Sequence, residues 1–462
     1  MPSLKKIIIF LLLIILVAAA LPIIGNSVIN KELDSRIQTL QENGVEVSEK
    51  NSENSYLSSL RHYEFFLKDT DKFFNFLSSY SDEQIPPYVN AMIDGVVVGA
   101  DLEYSNFPFS KAISVNIYPL TLSNSMKSEL KSSDLDFYNY IDKFLHSKGV
   151  LYHVNYNIVS QDFDGYLKDI DESYTLKDST VMSLRLKNAI YHGNGELIAP
   201  KLLVSSIEAI SLKLIQDDVH LDFNLQKVST SSNFESQSTY ISSAALEKFD
   251  LLVEGVSDKV NFKTSDIKIN ISSNTQGLKA EMFSKTSFKN LNVSSKELSF
   301  DLKEFNNDIS VTGIDKDSLE EFRILVLKSK TDHSSELEEK ITKALYRLLS
   351  HGVVVDIADF SAKELVLDKN NTLEGFSLRA NFELKEDRNF AKKVDYMPIA
   401  LAQSINTNIK LKISKKIYQK LLELTPMVGM SRSYAKDEGS SLVFEITFID
   451  GELRVNGKAL QN

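Results

Sequence analysis

Apolar and polar residues alternate with a period of two over long stretches of this chain, and each time that period fails it gives way to the spacing of an amphipathic helix. Val219-Leu221-Phe223-Leu225, Ile267-Ile269-Ile271 and Leu298-Phe300-Leu302 all alternate in this way, which predicts antiparallel strands with one buried face. The longest such runs are Phe376-Leu378-Ala380-Phe382-Leu384 and Leu442-Phe444-Ile446-Phe448. The second leads into Asp450-Gly451, a type I′ hairpin signal, and returns through Leu453 and Val455. Between these two strands the pattern predicts helices over about Arg388 to Ile405 and Ser414 to Leu424, with Thr425-Pro426 breaking the second.

A helix, a glycine and a strand follow one another three times. Leu33 to Leu40 stops at Gly44 before Val45-Glu46-Val47. Leu135 to Leu145, with Phe137, Tyr138, Ile141, Phe144 and Leu145 on one face, stops at Gly149 before Val150 to Val154. In the third copy Ser335 and Glu338 fit a capping box, Leu337, Ile341, Ala344, Leu345 and Leu348 form a stripe, and Gly352 precedes Val353-Val354-Val355. The copies are unevenly spaced, which argues against a simple solenoid and leaves duplication and convergence both open. The expected fold class is α+β: an N-terminal transmembrane helix, then a large, mainly antiparallel sheet covered by a few amphipathic helices. The expected divisions are an anchor over 1–25, a membrane-proximal α+β region over 26–130, a strand-rich middle over 131–330 and a C-terminal α+β region over 331–462.

The anchor is read from the unbroken apolar run Ile7 to Ile24 behind Lys5 and Lys6. As a helix it would reach roughly 27 Å, close to the roughly 30 Å hydrocarbon core of a bilayer. A single-pass orientation would leave the lysines in the cytoplasm and everything after Asn26 outside. The alternative is a signal peptide with a small-residue cleavage site at Ala18-Ala19-Ala20, giving a soluble periplasmic protein. The chain has no cysteine, which excludes both an N-terminal lipid on a thiol and any disulfide.

Of the 462 residues, 43% are hydrophobic, enough for a large core, and this argues against disorder. A formal net charge of -11 argues against nucleic acid as a partner, because phosphate binding needs clustered Lys and Arg. The seven histidines lie apart, without zinc-ligand spacing, and no Walker loop, nucleophile elbow or dinucleotide fingerprint occurs. Gly193-Asn194-Gly195 reads as a turn between Ile190 and Leu197. Asp162, Asp164, Asp169, Asp171 and Glu172 crowd around Gly165 without EF-hand register and read as a solvated face. Asp356, Asp359 and Glu364 read as outward strand residues. These readings leave no catalytic residue, metal site or cofactor to expect.

One cluster has two readings. Phe65, Phe66, Phe73, Phe74, Phe76 and Tyr80 crowd a short segment with Tyr63 and Tyr88. Phe73, Phe76, Leu77 and Tyr80 recur at helical spacing, as in a helix packed on a sheet. The same residues would also suit an apolar surface that meets lipid.

The apolar start with its Gly-Val-Glu-Val strand, the strand-rich middle and the tail Phe448-Ile449-Asp450-Gly451-Glu452-Leu453-Arg454-Val455-Asn456-Gly457 together resemble a bacterial family of unknown function, the YdgA-like membrane-anchored periplasmic proteins. That resemblance implies a Gram-negative inner-membrane protein with its bulk in the periplasm, and it carries no catalytic or ligand residue onto this chain. The expected function is a non-enzymatic envelope protein that binds a lipid, another apolar ligand or a periplasmic protein. The alternatives are a scaffold without a ligand and a hydrolase with a dispersed site.

Overall fold

The computed structural model describes residues 31–54, 58–78, 87–105, 112–196, 200–236, 238–256, 258–296, 299–329, 334–367, 371–396 and 402–459. Two compact units divide between Ser232 and Asn233, inside the stretch that the alternation marks as strand after strand.

The first unit opens with α1 (Lys31–Glu42), which ends at Gly44 and turns into β1 (Val45–Asn54). Gly44 sits at φ +88°, and a Cβ there would stand 2.2 Å from the carbonyl oxygen of Asp69, so the turn admits no side chain. Next come β2 (Ser58–Leu67), α2 (Thr70–Ser78), α3 (Pro87–Ile93), β3 (Val97–Ser105) and β4 (Ala112–Pro119). After α4 (Asn124–Ser133) and α5 (Leu135–His146) the chain is strand throughout: β5 (Tyr152–Asn157), β6 (Asp162–Leu167), β7 (Ile170–Thr175), β8 (Val181–Gly195), β9 (Pro200–Gln216) and β10 (Val219–Phe234). Pairing is antiparallel in the order β1-β2-β3-β4-β5-β6-β8-β9, and β7 shares one edge of β8 with β6. Buried Asp134 accepts a hydrogen bond from the Phe137 amide, capping α5, and another from the Lys177 amide after β7. One carboxylate therefore fixes both the helix start and its seat on the sheet.

The second unit is a meander of long strands: β11 (Tyr240–Glu254), β12 (Lys259–Asn274), β13 (Lys279–Ser294) and β14 (Ser299–Asp315). A helical pair, α6 (Lys316–Lys328) and α7 (Ser335–Ser350), separates these from β15 (Val353–Leu367) and β16 (Asn371–Leu384). α8 (Phe390–Tyr396), β17 (Ile405–Ser414), α9 (Lys415–Leu424), β18 (Lys436–Glu438), β19 (Ser441–Ile449), β20 (Glu452–Val455) and β21 (Lys458–Ala459) complete it. β11 to β17 pair in sequence, β19 pairs with β17, and β18 and β20 share the far edge of β19.

The sheet-rich architecture and the three helix-to-strand units are present, but several expectations change. No helix among the described residues is long and apolar enough to cross a membrane, so the described fold does not hold the transmembrane helix expected; Ile7 to Ile24 lie outside the described residues. The first described helix, α1, has 12 residues and holds Lys31, Glu32, Asp34, Arg36 and Glu42, which is far too short and too charged to span. Of the helix expected over 388–405, the described residues show α8 over Phe390–Tyr396, and its expected end is overturned, because Ile405 pairs with Leu384 as the first residue of β17. Gly193-Asn194-Gly195 is the end of β8, not a turn, with its irregularity taken up between Asn194 and Gly195. The cap of α7 is Ser334, whose hydroxyl accepts from the Leu337 amide, one residue before the expected Ser335.

Candidate functional site

The aromatic cluster of the first unit is spent on packing. β2 alternates, so Tyr63, Phe65 and Leu67 enter the core with Val98, Ala100, Val115 and Ile117, and Phe73 of α2 joins them from above. Phe65 is 8% and Phe73 6% exposed; Phe74 and Phe76 lean on the same core, and Phe66 is half-buried on the other side of the strand. Tyr80 lies outside the described residues. The lipid-facing reading of this cluster is therefore replaced by the helix-on-sheet one: burying these rings is what holds α2 on the sheet.

On the opposite side of β2, polar residues converge. Asp101 of β3 stands opposite His62 and accepts from its Nδ1 side at 2.7 Å, from the Tyr118 hydroxyl at 2.9 Å and from Lys148 Nζ at 2.6 Å. Lys148 also lies 4.4 Å from the centre of the Tyr118 ring. Burial pushes the Asp101 carboxyl up, but the bonds from Lys148, His62 and Tyr118 outweigh it and hold the group below its ordinary value. Burial, with the same carboxylate adding to it, pushes the Tyr118 phenol far up. A phenol so disfavoured as an anion is a poor nucleophile or base. The constellation is a closed tie between β2, β3, β4 and the turn after α5.

The long strands carry a second, repeating pattern. Asn188, Lys227, Asp266 and Glu304, at successive spacings of 39, 39 and 38 residues, all have left-handed backbones in the middle of strands. An apolar residue stands four before three of them as Phe223, Phe262 and Phe300, and before the first as Leu184. Another follows directly: Ala189, Val228, Ile267 and Phe305. The partner strands answer with apolar-charged-x-apolar-x-apolar: Ile207-Glu208 to Leu212, Leu246-Glu247 to Leu251, Phe288-Lys289 to Val293, and Ala362-Lys363 to Leu367. The repeating unit is thus a hairpin of about 39 residues, which the helix-Gly-strand spacing does not reveal because strict alternation breaks at one polar position per strand.

In the second unit those positions line up across neighbouring strands. Glu247, Asp266, Lys289, Glu304, Lys363 and Gly375 fall at one level, and the ladder skips one or two pairs there at each junction from β11 to β16. Such irregularities reset which way side chains point. The result is visible at β15 and β16, where Leu365 and Leu373 on one side of the level and Phe376 on the other join one apolar cluster. Gly375 shows how tight this level is: a Cβ there would fall 1.6 Å from the Ala362 carbonyl oxygen.

The apolar residues on both sides of the level therefore share one face of the sheet. Phe288 stacks on Phe305 with ring centres 4.7 Å apart, Phe305 meets Phe360 edge-on at 5.5 Å, and Phe360 lies 5.6 Å from Phe376. Among the described residues, helices cover this face at its ends. α6 and α7 pack Leu319, Phe322 and Leu348 on Ala280, Val311 and Ile314, and α9 packs Ile417 and Tyr418 near Phe376, Leu411 and Ile413. Across β11 to β13 the face is open, with Val253 42%, Val260 41% and Ile271 39% exposed.

Among the described residues no group of three or more His, Asp or Glu could hold a metal ion. The acidic run of the first unit is distributed along β6 and β7, where Asp162 and Asp164 accept from Asn194 and Asn155. Asp356 and Asp359 are strand residues of β15, and Glu364 is paired to Lys303 at 2.7 Å. Compared with protein-family models, curated proteins and solved structures, the chain matches none.

Proposed function

We propose that the second unit holds the acyl chain of a lipid on the open apolar face of β11 to β16, and that the protein serves in the bacterial cell envelope without chemistry of its own. The observation that carries this reading is the continuity of that face: an aromatic ladder, half-exposed aliphatic residues on either side of it, and, among the described residues, helices at the ends. Five strand spacings of about 4.8 Å carry it roughly 24 Å across the sheet. That exceeds the roughly 15 Å depth of one bilayer leaflet, half of a hydrocarbon core of about 30 Å. Large exposed apolar patches on a folded protein mark binding surfaces. The apolar run Ile7 to Ile24 behind Lys5 and Lys6 and the resemblance of the tail at 448–457 to YdgA-like proteins support a place in the envelope.

Native mass spectrometry of the full chain, purified from membranes and exchanged out of detergent, tests the proposal. Retained mass that extracts into organic solvent, and is lost in Phe305→Lys, is the expected result. A clean apo mass, with no uptake of added palmitate, would leave the scaffold reading in its place.

A further inference from the structure

On the other face of the second unit, β15, β16, β17 and β19 line an open concavity of about 390 Å³, within the size range of small-molecule sites. Its geometry begins at a bulge. Ile357 pairs with Ala380 and Phe360 with Leu378, so Ala358 and Asp359 stand against the single residue Arg379. The extra residue at the wall is an alanine, and its short side chain leaves room in front of the guanidinium.

The charges there are arranged against stability. Arg379 is the direct cross-strand partner of Lys410, and like charges in that relation repel. Lys410 is compensated by Glu445 at 2.8 Å, and Asp356 is occupied by the Asn381 amide at 3.2 Å. Arg379 has no hydrogen-bond or ion-pair partner among the described residues. Neither does the side chain of Asn408 or of Thr447, both of which line the same cavity. One planar fork of N–H donors, an amide and a hydroxyl thus face a concavity whose two lining carboxylates, Asp356 and Glu445, are already engaged, while Asp359, across the bulge from Arg379, is not part of the lining.

We infer that this cavity binds an oxyanion, the phosphate or carboxylate group of a small polar molecule, with Arg379 as its principal ligand and Asn408 and Thr447 as neighbouring donors. A guanidinium matches such a group with two parallel hydrogen bonds. The site lies on the face opposite the acyl-chain surface and stands or falls independently of it.

Isothermal titration of the full chain with inorganic phosphate and with glycerol phosphate tests the site, because Arg379 is exposed and its replacement spares the core. Saturable binding at one site per chain is expected, weakened about tenfold or more in Arg379→Ala and only partly in Arg379→Lys, since charge-assisted bonds are worth that much. Vesicles containing phosphatidic acid separate the two sources of such a group: capture that glycerol phosphate competes away and Arg379→Ala abolishes identifies a lipid headgroup, whereas binding of the soluble esters alone identifies a free metabolite. Absence of saturable binding at millimolar anion, or binding unchanged in Arg379→Ala, overturns the inference.

Discussion

Asp101 accepts from three side chains, on β2, β4 and the turn after α5, and its titration gives a signed prediction. Its folded-state carboxyl sits below the ordinary value of 3.8, held there against burial by Lys148, His62 and Tyr118. A depressed carboxyl contributes stability that is fully present above the unfolded value and is lost as pH falls through the folded one. Denaturant unfolding followed by circular dichroism should therefore show an acid decline below about pH 4 that Asp101→Asn makes shallower, at a cost of about 1–3 kcal/mol near neutrality. An unchanged acid limb would remove Asp101 from the groups that set it. At Gly375 the constraint is steric, since any side chain meets the Ala362 carbonyl oxygen. Gly375→Ala should lower stability by about 1–3 kcal/mol in the same assay, the range of an overpacked core.

At the scale of the element, the repeated left-handed residue makes the long strands usable. Glu304 sits at φ +49° in the middle of β14, a conformation that costs branched residues about 1–2 kcal/mol and Asn much less. Glu304→Val should therefore destabilise by about that amount and Glu304→Asn should stay within about 0.5 kcal/mol; its exposed pair with Lys363 adds little. Equal effects of the two substitutions would show that the backbone at this level is not strained. For the helices, Ser334→Ala removes the cap of α7 and should cost about 1 kcal/mol, whereas Ser335→Ala should be close to neutral. The strands at 376–384 and 442–448 and the Asp450-Gly451 hairpin were readable because each is set by neighbours in sequence. The hairpin turn adopts left-handed backbone at both residues, as the type I′ form requires. α8 was overestimated because its pattern ran on into Ile405, which pairing with Leu384 claims for the sheet.

For the whole molecule, the two units use their apolar residues differently. In the first, Phe65 and Phe73 fill a closed core; in the second, Phe288, Phe305 and Phe360 line a face that helices leave open between their two ends. The native protein should consequently bind an apolar fluorescent dye at neutral pH with its near-ultraviolet dichroism intact, palmitate should displace the dye, and Phe305→Lys should abolish the signal. Dye binding that appears only together with loss of tertiary structure would point to partial unfolding instead.

By itself the sequence determined what depends on neighbours along the chain: the strand-dominated class, the amphipathic helices with their glycine stops, and the Asp-Gly turn. It also ruled out disulfides, because the residue they need is missing. Whether an aromatic ring is core or surface was decided only by tertiary structure. Phe65 and Phe305 carry the same side chain in similar strands, and they differ in what lies over them. The alignment of Glu247, Asp266, Lys289, Glu304, Lys363 and Gly375, and the opposition of Arg379 to Lys410, likewise arise from strand register. Register is a relation between segments distant in sequence, set by the joint burial of a whole face and not by any local run of residues.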